Sequence, residues 1–442
     1  MDLSRGTGQI AYEIAQRLQE KGFVTYLAGG CVRDFLRGEI PKDYDIATTA
    51  SPDQIEALFP KTLPIGKQFG VILVVENGKN FEVATFRQEG PYQDGRHPTQ
   101  VRFTSPEEDA RRRDFAVNGL FYDPFKRKVI DYVGGEEDIR RKLIRAIGDP
   151  SLRFDEDKLR LLRAIRFAAN LNYTIEAKTW EALRKQSAKI HQVSAERIRD
   201  ELIKVFTRPG AGRGLELLSS CGLLKEILPE IEAMKGVQQP PEFHPEGDVF
   251  IHTRMLLERL QRPSTTLAFA ALLHDVGKPS TFQVREGRIR FYEHSRVGAK
   301  MSEDILRRLR FSNSEIEAVS ICVDNHMKFA NVKEMREGKL KRFMGTSTFP
   351  AELELHRIDC ESSHGLLDNY RFLQEKMEDF KKEELRPRPL LNGDDLKELG
   401  MKPGPAMKPI LEEAYELQLE KKLCTKEEAR DWARRKIGKS AS

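Results

Sequence analysis

The chain has 442 residues, 39% of them hydrophobic, and 74 Lys and Arg against 69 Asp and Glu give a net charge of +5. At roughly 100–200 residues per domain this length suggests about three domains, and the composition is that of a soluble globular chain with a heavily charged surface. The longest apolar runs, such as FGVILVV at 69–75, are far shorter than the ~20 residues of a membrane span, and the first residues lack the basic stretch and apolar core of a secretory signal. The five cysteines, Cys31, Cys221, Cys322, Cys360 and Cys424, are odd in number and lie far apart. That argues against a disulfide framework or a cysteine-ligated zinc and for a reducing cytoplasm. The mildly basic balance permits a nucleic-acid partner without demonstrating one.

In chain order, residues 1–22 read as a helix, with Ile10, Ile14 and Leu18 at four-residue spacing. FVTYLAGG at 23–30 reads as a strand ending in a glycine turn, CVRDFLRG as a short helix, and KDYDIATTA as strand-like. SPDQIEALF is a helix with a serine N-cap, and GVILVVENGKNFEVATFR is a hairpin around Asn77-Gly78. A polar loop, 88–101, follows. From about 153 the pattern becomes helical, beginning with RFDEDKLRLLRAIRFAANL as one segment. KGVQQPPEFHPEGD at 235–248 looks like a linker, a third helical block occupies about 249–380, and a Pro-rich break at 384–393 precedes a charged helical tail. These readings predict an α+β protein: a small mixed-sheet head at 1–150, an all-α neck at 151–238, a helical body at 245–380 and a tail at 390–442.

Chemistry concentrates first around residues 29–45. Gly29 and Gly30 end a strand before a helix, where backbone N–H groups and the helix terminus favour a phosphate. Arg33 and Asp34 follow. Asp43 and Asp45, two residues apart in a strand-like stretch, are expected on one face. Two such carboxylates repel unless a cation neutralises them, and Mg²⁺ with substrate phosphates would do so. Taken singly, the glycines could be only a turn and the aspartates only a strand end. Together, LAGGCVRD and DYDIAT resemble the DNA polymerase beta-like nucleotidyltransferases, and within them the class II tRNA nucleotidyltransferases and bacterial poly(A) polymerases. Glu82, on the adjacent hairpin, is either a third carboxylate of the site or a strand-face ion-pair partner.

The resemblance implies the rest of the head site. Arg112, Arg113, Asp114 and Asn118 match the family's Arg-Arg-Asp-x-x-x-Asn motif, where guanidiniums suit triphosphate or ribose contacts. Glu156, Asp157 and Arg160 match its Glu-Asp-x-x-Arg motif, with Arg163 following. On one continuous helix these residues would share a side, which alone would be an ordinary surface ion pair. In the family this motif reads the incoming base without a template. An aspartate accepts from the amino group of cytosine or adenine while an arginine donates to the ring nitrogen. Uracil and guanine would leave buried groups unpaired, at about 1–3 kcal/mol each. The implied reaction adds C and A from CTP and ATP to tRNA 3′ ends, with release of pyrophosphate and Mg²⁺ held by Asp43 and Asp45. The 88–101 loop stands where the family's flexible loop stands, which argues against C-only addition. A-only addition to tRNA and poly(A) synthesis remain as alternatives.

Five of the nine histidines fall within 252–356 of the third block: His252, His274, His294, His326 and His356. TLAFAALLHDVGKP ends an apolar helix on His274-Asp275. With His252 and Asp359, this series resembles the HD phosphohydrolases and implies a divalent metal, with His294 and His326 available to a second position. A metal-dependent phosphohydrolase is the reading from another class.

Overall fold

The computed structural model describes residues 1–89, 101–242, 244–380 and 387–440. The chain folds into two compact units, Met1–Glu232 and Ala233–Ser442. Most of the 88–101 loop lies outside the described residues.

The first unit is built on a seven-stranded sheet. Its strands are β1 (Thr25–Ala28), β2 (Asp45–Thr48), β3 (Thr62–Gly66), β4 (Val71–Glu76), β5 (Lys79–Thr85), β8 (Leu120–Asp123) and β9 (Lys128–Asp131), while β6 (Arg87–Glu89) and β7 (Val101–Phe103) form a separate antiparallel pair. The order is β3-β4-β5-β2-β1-β8-β9. All neighbours are antiparallel except β2 and β5, whose register sets Ile46 beside Val83. The predicted hairpin is present as β4–β5, turning at Asn77 and Gly78, both at positive φ. Ala28, Ala47, Phe86, Ala110 and Phe121 pack into a buried cluster under the sheet. The small residues on β1 and β2 leave room for the two phenylalanines, whose rings meet edge-on at 5.6 Å.

Helices follow, as the 3.6-residue spacing predicts, but with one correction that matters for function. RFDEDKLRLLRAIRFAANL is not a single helix. Pro150–Glu156 ends at Asp157, which takes extended angles (φ −142°, ψ 107°), and Leu159–Leu171 starts afresh. The Asp157 side chain accepts from the Leu159 backbone N–H at 3.0 Å, as an aspartate does when it offers the chain an alternative to a helical turn. The N-terminal helix is also shorter than predicted, Gly6–Glu20.

The second unit is largely helical, with two departures. FQVREGRIRF forms a hairpin, Phe282–Arg285 with Arg288–Phe291, through a Glu286-Gly287 turn at positive φ, where a continuous helical block is expected. The apparent linker at 235–248 is folded in place. Gln239 N–H bonds the Gly247 carbonyl, Gly236 N–H bonds the Asp248 carboxylate, and Asp248 caps the helix Val249–Arg259. No helix among the described residues is long and apolar enough to cross a membrane.

Candidate functional sites: an arginine-lined cleft and a histidine cluster

A cleft of about 680 Å³ opens in the first unit, lined by Gly29, Gly30, Arg33, Asp45, Glu82 and Asn118 on the sheet side and by Asp157, Arg160 and Arg163 on the helical side. Among the described residues, seven arginines against four carboxylates line it, so it is strongly cationic. Gly29 has φ +68°, which favours glycine, and a Cβ there would crowd Arg113 Nη1 at 3.0 Å.

Asp45 opens β2, and Glu82 lies next to it on β5 through the parallel register. Asp45 keeps solvent access from the cleft but is ringed by protein. That burial, then the charge of Glu82 and less so of Asp43, pushes its carboxyl up to about 6 against the pull of Arg113. A carboxylate crowded by two others is a fitting ligand for a hard cation. Asp43 is exposed in the loop ahead of β2, so strand alternation is not what relates it to Asp45, and it is absent from the cleft lining.

The arginines are held by buried acids. Asp109 accepts from Arg112 (2.7 Å) and Arg113 (3.1 Å), and despite its burial these guanidiniums lower its pKa. Asp114 is buried, accepts from Arg163 and from Asn118 Nδ2 at 3.3 Å, and is held down at about 2, the guanidinium outweighing desolvation. Asn118 in turn accepts from Arg33 Nη1 at 2.6 Å. Glu156 is not in the lining; it pairs with Arg153 (2.8 Å) and Arg160 (2.5 Å) and so sets the Arg160 guanidinium. Asp157, freed from the helix by the break, lines the cleft and accepts from Arg197 at 2.9 Å. The structure thus brings Asp45 and most of the predicted nucleotide-binding residues into one cleft, with Glu156 and Asp43 outside its lining.

Sequence reasoning missed Asp109, Arg197 and Phe167. Asp109 was visible as the residue three and four places before Arg112 and Arg113. Phe167 underlies the guanidiniums of Arg33, Arg163 and Arg166 at 5.4, 5.3 and 4.2 Å, a cation–π role that one Phe in an apolar helix does not announce.

The second site gathers the histidines. His274 Nδ1 lies 2.9 Å from the Ala271 carbonyl, His294 Nδ1 2.9 Å from that of Phe291, and His326 Nδ1 2.6 Å from that of Val323. A carbonyl only accepts, so each Nδ1 carries its proton and each neutral ring has its lone pair on Nε2. Burial keeps His326 neutral, its pKa lowered to about 3, and lowers that of His294 too. Their Nε2 atoms nevertheless face each other at 3.2 Å, with an Asp275 oxygen 3.6 and 3.9 Å away. His274 Nε2 is buried 3.2 Å from Asp275 Oδ2, which also pairs with the buried Lys278 ammonium at 2.7 Å. The Nε2 lone pairs of His294 and His326 converge without a proton between them, which fits a cation. On the other side, His252 lies between Asp359 (2.9 Å) and Glu246 (2.7 Å), whose hydrogen bonds outweigh burial and raise its pKa to about 9. Three overlapping groups could each hold a metal: His244, Glu246 and His252; His252, His274 and Asp275; and Asp275, His294 and His326. His244 and Glu246 come from the segment taken as a linker. A cavity of about 700 Å³ adjoins the cluster, with apolar walls at Ile289, Phe291, Met327 and Leu366 and a lysine, Lys333, in its lining.

The mixed sheet, the carboxylates on its inner strands β2 and β5 and the guanidinium-lined cleft form a site suited to a polyanionic ligand. Residues 25–145 match the poly A polymerase head domain, 172–235 the probable RNA and SrmB-binding site of polymerase A, and 248–360 the HD domain. The three matches follow one another along the chain in the order head, RNA-binding region and HD domain. The chain is 43% identical over 218 residues to the CCA-adding enzyme of Bacillus pumilus (strain SAFR-032), a match covering 49% of this chain and 54% of that protein. The chain thus spans about half the length of the curated relatives it matches. The crystal structure of the Bacillus stearothermophilus CCA-adding enzyme in complex with CTP covers 98% of both chains at 26% identity, with a TM-score of 0.74. The Thermotoga maritima CCA-adding enzyme complexed with tRNA, 17% identical with a TM-score of 0.54 over 97% of this chain and 95% of that one, shares the fold.

Proposed function

We propose that this protein adds C and A, from CTP and ATP, to tRNA 3′ ends without a template and releases pyrophosphate. The observation that carries this reading is the cleft itself. A carboxylate pair, Asp45 and Glu82, faces a bank of arginines on the sheet side, while Asp157 and Arg160 enter from the helical side. Residues 1–150 hold the phosphates and catalytic carboxylates. Residues 151–238 supply the base-reading edge, 245–380 form the HD body, and 390–442 a tail that joins the neck in holding the acceptor arm by shape and phosphate contacts.

Asp45, with Asp43, would hold Mg²⁺, which when bound lowers the pKa of the attacking hydroxyl and neutralises phosphate charge. The chain's own residues do the rest. Arg112 and Arg113, fixed by Asp109, meet the triphosphate, and the amides at Gly29 and Gly30 approach it closely. Asp157 accepts from the exocyclic amino group of C or A, and Arg160, oriented by Glu156, donates to the ring nitrogen. Bound nucleotide competes with Arg197 for Asp157. The HD cluster and its adjoining cavity support a second, metal-dependent phosphohydrolase activity in the same chain.

The test is to incubate the protein with tRNA transcripts ending before CCA, after C and after CC, with each NTP alone and in pairs. Full CCA on the shortest transcript is the expected product. A single A added only to the CC end, or a growing A tail on any RNA, would replace this reading by A-only addition or poly(A) synthesis.

A further inference from the structure

Four histidines surround Asp275, and three of them solve the same problem in the same way. His274 and His326 follow the last residues of the helices Thr265–Leu273 and Asn313–Asn325, and His294 is the first residue of the helix His294–Arg308. After the first two helices the carbonyl three residues back lies in the last turn, open to a side chain, and before His294 it is that of Phe291, at the end of the preceding strand; each ring uses it to fix its proton on Nδ1. His252 cannot do this. It sits inside the helix Val249–Arg259, where the Val249 carbonyl already accepts from Thr253 Oγ1 at 3.0 Å. Its Nδ1 is instead 2.7 Å from Glu246 Oε1, a carboxylate that is itself 4% exposed. Glu246 reaches it because the chain turns at Gly247, at φ +74°, just before the Asp248 cap. His244 Nδ1 lies 2.9 Å from the same Glu246 oxygen, and its ring stands edge-on to His252 at 4.8 Å.

We propose that Glu246 is the positioning residue that readies His252 as a metal ligand. Its carboxylate, hydrogen-bonded to His244 Nδ1 at 2.9 Å, sits 2.7 Å from His252 Nδ1 and sets the ring at the angle that turns Nε2 toward Asp359 and the His274–Asp275 pair. This rests on the reading that the HD cluster holds a divalent ion. A ligating histidine whose other nitrogen donates to a carboxylate is more basic and better oriented, and loss of such a partner weakens metal affinity by about 10–100-fold. The sequence hid this role because HPEGD reads as a turn, and the partner of a helix-interior histidine lies outside its helix.

The experiment uses the full-length chain with Co²⁺ as the probe, read by isothermal titration and by the visible absorption of bound Co²⁺. Wild type should bind Co²⁺ with an imidazole-rich spectrum. Glu246→Ala should raise the Kd about 10–100-fold while leaving the metal-free thermal midpoint within a few degrees, and Glu246→Gln, which can still accept from Nδ1–H, should recover part of the affinity. A His252 ring still ligated through Nε2 with wild-type nitrogen-15 shifts in zinc-loaded Glu246→Ala would overturn the proposal. So would unchanged Co²⁺ affinity in that variant, or a loss matched by an equal loss of metal-free stability. If wild type binds no Co²⁺ at all, the metal reading of the HD cluster fails together with the proposal.

Discussion

The head cleft and the histidine cluster are opposite solutions to one electrostatic problem. In the cleft the charge is cationic: guanidiniums of Arg112, Arg113 and Arg163 are held by Asp109 and Asp114, an arrangement suited to an anion. In the cluster the fixed groups are lone pairs: His274, His294 and His326 spend their protons on backbone carbonyls and present Nε2 to Asp275. One site is preorganised for an anion and the other for a cation. The difference shows in the acids. The cleft's structural acids are held below their usual pKa by arginine, while Asp45, which we propose as a metal ligand, is raised by burial and by Glu82.

Three expected outcomes break or sharpen that contrast. The largest is Asp45→Ala, which should cut nucleotide incorporation by roughly a thousandfold or more, because metal stabilisation of the reacting phosphate amounts to several kcal/mol. Binding of tRNA, measured by filter retention, should stay near wild type. Incorporation within tenfold of wild type would remove Asp45 from the chemistry. Next is pH. A carboxyl raised to about 6 is protonated below that value, and a proton competes with the metal for the same oxygens. The Mn²⁺ affinity of the head should therefore fall about tenfold per pH unit below 6 and level off above it, readable by electron paramagnetic resonance titration. A flat profile from pH 5 to 7 would mean that Asp45 keeps an ordinary pKa. The smallest effect concerns independence of the two sites. Replacing His274 and Asp275 together by alanine should abolish HD metal binding and any hydrolysis of a 2′,3′-cyclic nucleotide, yet shift CTP and ATP incorporation by less than about twofold. A larger loss would show that the two sites are coupled.

Much of this was legible in the sequence, for identifiable reasons. The β4–β5 hairpin, the glycine turn and the apolar helix ending on His274 follow from local chemistry: Asn-Gly, positive φ and periodic Leu and Ala. What escaped depends on partners distant in the chain or on a local exception. The break at Asp157 arises from one side chain bonding its own backbone, inside a stretch whose leucines keep helical spacing on both sides. The helical propensity around it outvotes that signal in any window average. The 282–291 hairpin alternates Phe, Val, Ile and Phe with Gln and Arg, a period-2 signal submerged by its helical surroundings. His244 and Glu246 were hidden by prolines that read as a linker.

The central claim is that protein groups, Asp157 with Arg160, read the base. The direct measurement is single-turnover incorporation of all four nucleotides on a tRNA ending in CC, by wild type and by Asp157→Ala under identical conditions. The account predicts that ATP incorporation falls while UTP and GTP fall less or rise, so that discrimination shrinks by roughly ten- to a hundredfold, about 1–3 kcal/mol for one lost base-edge contact. An equal loss for all four nucleotides would contradict it, and would make the Asp157–Arg197 pair a structural tie rather than a reader of the base.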